Sequence, residues 1–191
     1  IVKSRISNIL GKSTRLFARN TCIKEIPFPK DFLNANHIQG AGGATSINLG
    51  LFSEDTLVAV MTFSKPRFTT EQDYELVRYC SILNTTIVGG ASKLFNYFNN
   101  RYLGSIVSYS DKRWSTGKLY SKLGFKLSHT SSPNYRYYTN NASLSRYQCQ
   151  KHLLKDRFPT YYNDKYTELE IMTKAGYYRV YDCGNDVWVY A

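Results

Sequence analysis

Between residues 47 and 101 the apolar period of the chain changes from two to 3.6, and that change limits the folds open to it. Residues 47–52 and 57–63 are apolar strand-type segments joined by the turn Ser53-Glu54-Asp55. Residues 74–80 make a third strand, in which Leu76 alternates against Arg78. Gly89-Gly90-Ala91-Ser92 then opens a helix running to about Arg101, with Leu94, Phe95 and Phe98 at helical spacing. A second round follows, a β-branched strand over 105–109 and a helix over 116–123 stopped by Gly124. Strands followed by a crossover helix predict a mixed α/β sheet.

The flanks are less regular. Ile1, Val2, Ile6, Ile9 and Leu10 recur near helical spacing before Gly11, so residues 1–21 read as a basic helix and linker. Lacking an initiator Met, this segment is expected to be the end of an upstream domain. Residues 22–26 alternate as a strand, Pro27 and Pro29 break it, and 30–36 form a short helix. Gly40, Gly42 and Gly43 make a flexible turn, and 84–88 read as a loop. Segments 125–128 and 135–138 are expected to close the sheet as a strand pair, giving a domain over 22–139. Residues 140–191 read as a small extension: helices over 144–156 and 168–174, then a hairpin of 178–181 with 187–190. The fold class expected is α/β (α+β), a mixed sheet with flanking helices and a C-terminal helix/hairpin extension.

Charge narrows the partners. The formal charge is +11 and the isoelectric point about 9.5, which points to DNA as a partner, since cationic side chains release counterions from phosphates. A solvated basic face has the same composition. No apolar run reaches the roughly 18–20 residues of a membrane span, so no membrane partner is expected. Cys22, Cys80, Cys149 and Cys183 lie far apart with no CxxC, which argues against a Cys-based zinc site. Free thiols fit a reducing cytoplasm. Tyr135-Arg136-Tyr137-Tyr138 and Tyr177-Tyr178-Arg179 mix rings with cations, a pattern of base stacking and equally of strand packing.

Two stretches carry the chemistry. Gly89-Gly90-Ala91-Ser92-Lys93 opens a helix, and its unpaired N–H groups and dipole suit a pyrophosphate; a plain turn has the same sequence. Downstream run Ser108-Tyr109-Ser110-Asp111, Lys112-Arg113-Trp114 and Gly117-Lys118-Leu119-Tyr120-Ser121-Lys122-Leu123-Gly124-Phe125. Leu-Tyr-x-x-Leu-Gly-Phe after a short strand resembles the last motif block of GNAT acyltransferases, and the Gly89 loop sits where that family holds coenzyme A. The resemblance covers roughly residues 45–139. It departs at Thr86, where the family usually has Gln or Arg.

A nearer resemblance is to the Mom-type branch, which modifies phage DNA bases: His37, Glu75-Leu76-x-Arg78, Ser108-Tyr109-x-Asp111 and Gly117-x-x-Tyr120 are its shared elements. The whole chain also resembles the C-terminal half of phage Vsr-like homing-endonuclease-like proteins, whose nuclease carboxylates would lie upstream. These resemblances imply transfer of an acyl- or glycyl-type group to DNA bases. The alternatives they leave are a non-catalytic DNA-targeting domain beside an upstream nuclease and a small-molecule acyl-CoA N-acetyltransferase. The cofactor implied is an acyl-CoA or a metal ion, and the location a host bacterial cytoplasm.

Roles follow residue by residue. Tyr120 is the expected general acid toward a leaving thiolate, or else a half-buried helix Tyr. Asp111 ends a strand, where it serves as base or metal ligand, or as an ordinary turn Asp. His37 is a base, a metal ligand with Asp111 and Tyr120, or a structural His. Arg78 binds an anion or lies on a solvent face. Lys112, Arg113, Trp114 and Lys118 are the expected nucleic-acid contacts, Trp114 against a flipped base or as packing.

Overall fold

The computed structural model describes residues 1–191, which divide into two compact units. The first comprises Ile1–Ser110, Thr116–His129 and Val187–Ala191, the second Asp111–Ser115 and Thr130–Asp186. In chain order the first unit carries α1 (Val2–Ile9), β1 (Thr14–Phe17), a 3₁₀ turn at Ala18–Asn20, β2 (Cys22–Glu25) and α2 (Lys30–Asn36). The strands β3 (Ile47–Ser53), β4 (Thr56–Ser64), β5 (Tyr74–Ser81) and β6 (Thr85–Val88) follow, then α3 (Gly90–Arg101). It continues with β7 (Ile106–Asp111), α4 (Lys118–Lys122) and β8 (Lys126–Thr130). The second unit holds β9 (Tyr135–Tyr138), β10 (Ser143–Ser145), α5 (Lys151–Arg157), α6 (Glu168–Lys174) and β11 (Tyr178–Tyr181). The chain then returns to the first unit along β12 (Asn185–Tyr190).

Seven strands form the main sheet in the order β2-β3-β4-β5-β7-β12-β8. β2 to β5 are antiparallel neighbours and β5 pairs β7 in parallel, so the sheet is mixed, with helices against it, as the period change predicts. Leu49, Leu51, Met61 and Phe63 face a core with Leu94, Phe95 and Phe98 of α3, and the rings of Phe63 and Phe98 stack at 3.6 Å. The opposite residues, among them Val60 and Cys80, pack with Leu33 and Phe32 of α2. The strand period thus sorts side chains between a large core and a small one.

Four expectations are corrected. Residues 85–88 are a strand, not a loop: the β-branched Thr85-Thr86-Ile87-Val88 pairs in parallel with β1 from Thr14↔Thr85 to Phe17↔Val88. The sheet is closed by β12 beside β8, not by 135–138, and 178–181 with 187–190 is no hairpin. Trp188 is buried in the main core and its Nε1 donates to Ser110 Oγ at 2.9 Å, a burial that a local hairpin would forfeit. The helix expected over 144–156 is split. Ser145 N and Oγ both donate to Gln148 Oε1, a local bond set that competes with helix, and only Lys151–Arg157 is helical beyond the short 3₁₀ turn Tyr147–Cys149.

Consequently the boundary expected at 139/140 is replaced by an insertion: the second unit lies in sequence between β8 and β12, with Asp111–Ser115 added. It has its own core of Tyr137, Cys149, Leu154, Ile171 and Met172 beneath the sheet β10-β9-β11. α6 spans the 168–174 expected, and Thr167 and Glu170 close a reciprocal capping box at its start.

Gly117 fixes the start of α4. Its φ is +74° and a Cβ there would meet Trp188 Cζ2 at 2.3 Å. Replacement Gly117→Ala is therefore expected to destabilise the first unit by about 2–4 kcal/mol, through left-handed strain and overpacking together. Urea unfolding of the variant against the parent chain checks this.

Candidate active site

β5 contains one residue too many for β4. Thr62 pairs with Arg78 and Phe63 with Leu76, which leaves Val77 as a bulge. The bulge reverses the alternation, so Arg78 and Cys80 lie on the α2 face while Tyr79 joins the core under α3. On its other edge β5 meets β7 only at Tyr74↔Ile106 and Glu75↔Val107. At the next step the Leu76 carbonyl takes a hydrogen bond from a side chain, Ser108 Oγ at 2.7 Å. The two strands part there, and the β5 edge beyond Leu76 has no strand partner.

Tyr120 of α4 sits at this split, its hydroxyl 3.2 Å from Ser108 Oγ. Ser108 has one proton and the Leu76 carbonyl can only accept, so the Tyr120 O–H is the donor to Ser108. The phenol lies nearly parallel to Trp188, with centroids 5.5 Å apart, and meets Phe125 edge-on. Burial holds its pKa above the usual tyrosine value, with the Arg78 charge pulling the other way. Tyr120 therefore keeps its proton at neutral pH.

The remaining polar groups of the split come from three segments. Arg78 donates from Nε to Gly40 O at 3.2 Å and from Nη1 to Val77 O at 2.8 Å, pinning the Gly-rich turn. A Cβ at Gly42, whose φ is +70°, would lie 3.3 Å from Arg78 Nη2. Opposite Arg78, Thr62 Oγ1 is buried with no partner, a state that costs about 1–3 kcal/mol. Glu75 is 1% exposed and is held by Arg67, at 2.5 Å to Nη2 and 3.0 Å to the backbone N–H. The Glu75 carboxylate therefore belongs to Arg67 and not to Arg78.

His37 reaches this region but not as a base. Its Nδ1 accepts the Gln39 N–H at 3.1 Å, which puts the ring proton on Nε2. Burial first, then Arg78 and Arg5, lower its pKa to about 4. The ring is neutral and its basic nitrogen is engaged in a turn.

At the glycine loop, Gly89 adopts φ +77° and caps α3. A Cβ at Gly90 would touch Ile87 at 2.8 Å and Tyr79 Oη at 3.1 Å. The Ala91 N–H already bonds the Tyr79 hydroxyl, whose pKa burial pushes up to about 12. Lys93 Nζ donates to Ala18 O at 2.8 Å and to Thr21 O, so its charge ties down the turn before β2. Thr86 bonds Ser13. Lys93, expected as a phosphate ligand, is thus engaged with two backbone carbonyls.

Asp111 belongs to the second unit, whereas His37 and Tyr120 belong to the first. Its Oδ1 accepts from Arg113 N at 2.9 Å and Nε at 3.0 Å, and its Oδ2 from Nη2 at 2.6 Å. This is a turn Asp closed by a bidentate ion pair, and it occupies the Arg113 guanidinium as well. No group of three His, Cys, Asp or Glu side chains is placed to hold a metal ion. Lys112 and Lys118 are exposed, and Trp114 is 42% exposed in the second unit. Thr62, Tyr79 and Trp188 were not singled out by the sequence. Ser108 entered through the Ser108-Tyr109-x-Asp111 motif, and the alternation Ile106-Val107-Ser108-Tyr109-Ser110, with polar residues on the buried phase, marks it as well.

No protein-family model matches the chain, and no curated protein matches it. Among solved structures, an IAA acetyltransferase from Bacillus cereus ATCC 14579 is similar at 13% identity and TM-score 0.47, over 88% of this chain and 97% of that one. A GNAT family acetyltransferase from Elizabethkingia anophelis with acetyl-CoA bound gives 14% and 0.47, over 89% and 97%. An acetyltransferase from Bacillus subtilis in complex with CoA gives 13% and 0.46, over 88% and 97%. None of this assigns an activity to the chain.

The state of His37 sets a pH dependence. Its folded pKa lies below the unfolded value of 6.5, so the unfolded state binds the proton first. Stability is intact above pH 6.5 and falls as pH drops toward about 4, by at most about 3 kcal/mol from this group. His37→Asn, whose Oδ1 can take the same Gln39 N–H, is expected to flatten that window. Denaturant midpoints measured across it for both proteins provide the check.

Proposed function

We propose that the first unit is an acyl-transfer domain in which a thioester donor lies in the split between β5 and β7 and passes its acyl group to an amine. The observation that carries this is Tyr120, a half-buried, protonated phenol at the point where the two strands part. The unpaired β5 edge beyond Leu76 offers backbone groups to an extended donor. The Gly90 and Ser92 N–H groups offer a modest phosphate seat, consistent with the acyltransferase resemblance. With Lys93 and Ala91 already engaged, that seat is weaker than a full phosphate cradle, and donor affinity rests on the split.

In the reaction the amine nitrogen attacks the thioester carbonyl carbon. The C–S bond breaks and the leaving sulfur takes the proton of the Tyr120 hydroxyl. The acceptor nitrogen loses its proton to water, because the His37 lone pair is engaged, and solvent restores the Tyr120 proton. Ser108 positions the phenol by accepting its hydrogen bond in the resting state.

A second reading rests on charge. The first unit carries fifteen Lys and Arg against seven Asp and Glu, the second ten against seven, which sum to the +11 of the chain. This supports nucleic acid as the acceptor or docking partner, with a DNA base as the acceptor in the form that the Mom-type resemblance implies.

Thiol release from acetyl-CoA with a panel of amines tests the first reading. Tyr120→Phe is expected to lower kcat by roughly 10²–10⁴-fold with little change in donor affinity. Equal rates for the variant and the parent chain would remove Tyr120 from the chemistry. Absence of both turnover and CoA binding would overturn acyl transfer. Mass spectrometry of nucleosides from DNA incubated with the chain and donor tests the second.

A further inference from the structure

We infer that the outer face of the β10-β9-β11 sheet in the second unit is a stacking platform for the unpaired bases of a single-stranded nucleic acid. The inference rests on the nucleic-acid reading above for the class of partner, and on none of the acyl-transfer chemistry.

Strand alternation separates the tyrosines that the sequence left together. Tyr137 is fully buried over Leu154 and Met172, and Tyr135 is half-buried with its hydroxyl donated to Glu168 at 2.8 Å. These rings belong to the core. Arg136 and Tyr138 point the other way. Register places Tyr178 opposite Tyr138 and Val180 opposite Arg136 on one side, and Ser143 and Ser145 opposite the same pair on the other. The outer face is therefore two tyrosines, an arginine, two serines and one valine.

Tyr138 is 37% and Tyr178 76% exposed, and neither ring packs against another aromatic. Their π-faces are open on adjacent strands, and the small serines beside Tyr138 leave room at its flank. Arg136 Nη2 donates to Ser143 Oγ at 3.1 Å, which holds a cation on the same face. Arg113 lies within electrostatic reach of the Tyr138 phenol. Arg136 is the arginine of this face, since Arg179 lies opposite Tyr137 on the core side, and the three strands contain no acidic residue.

That combination selects among partners. A protein-docking face of this size would be expected to bury aliphatic side chains, and Val180 is the one present. Every base has a π-face, so rings on a flat sheet bind bases without reading sequence, while neighbouring arginines meet phosphates. Duplex bases are already stacked on one another and cannot reach such rings. The surface thus fits single strands and disfavours duplex.

Fluorescence anisotropy of the full chain with a labelled oligothymidylate of about a dozen nucleotides, beside a matched duplex, tests this. The single strand is expected to bind more tightly. Tyr138→Ala and Tyr178→Ala should each weaken it by roughly ten-fold, while the Phe variants stay within about two-fold, since stacking needs the ring and not the hydroxyl. Arg136→Ala should reduce the slope of affinity against salt by about one. Equal binding of strand and duplex, with the Tyr variants unchanged, would overturn the platform and leave the general nucleic-acid reading standing. Binding to neither would overturn both.

Discussion

Val77 has no opposite number on β4, and the geometry of the first unit follows from accommodating it. Before the bulge Leu76 faces the α3 core, and after it Tyr79 does, with Arg78 turned to the α2 face. A strand without the extra residue would put Arg78 in the apolar core, at a cost that no partner there could offset. The bulge also bends β5 and increases its twist. Its parallel pairing with β7 ends two residues before Val77, where the Ser108 hydroxyl takes over the Leu76 carbonyl. Tyr120, which sits against Ser108, is thus placed by an irregularity of the sheet.

Around that split most of the charged and basic groups are consumed locally. Arg67 holds Glu75, Arg78 holds the Gly40 turn, Lys93 holds two carbonyls, and the His37 lone pair takes a backbone N–H. Such ties fix a loop-rich wall, and a group committed to two partners is a poor base or phosphate ligand. Thr62 Oγ1 and the protonated Tyr120 are what is left. A buried hydroxyl donor suits a developing negative charge.

The parts of the fold legible in the sequence were those whose period is long and whose packing is local. β3, β4, β5 and α3 announced themselves by two-fold and 3.6-fold repeats. What was not legible depends on partners distant in the chain. β12 joins the main sheet because Trp188 completes a core built from residues before 126, and sequence adjacency to β11 gave the opposite expectation. β6 has four residues and a partner near the N-terminus, so its β-branched run alone had to compete with a loop reading. At the site, Tyr120, Arg78 and Ser108 were named from motif alone. The bulge and the place of Trp188 were not legible, because register is a property of two strands and not of one.

Pairing explains Asp111 in the same way. Asp at the end of a strand is compatible with a ligand and with a turn, and the residue two positions on decides between them. Arg113 supplies both the backbone N–H of an Asx-type turn and a bidentate guanidinium, so both carboxylate oxygens are spent within three residues. The tyrosine-arginine stretches obey the same logic with the opposite result. Tyr137 is drawn into a core by alternation, whereas Tyr138, one residue later, has nothing across from it but Ser143 and another exposed tyrosine. Burying Tyr138 instead would require a one-residue slip of β9, which would expel Tyr137 and open the second unit's core. Its exposure is therefore enforced by the packing of its neighbour.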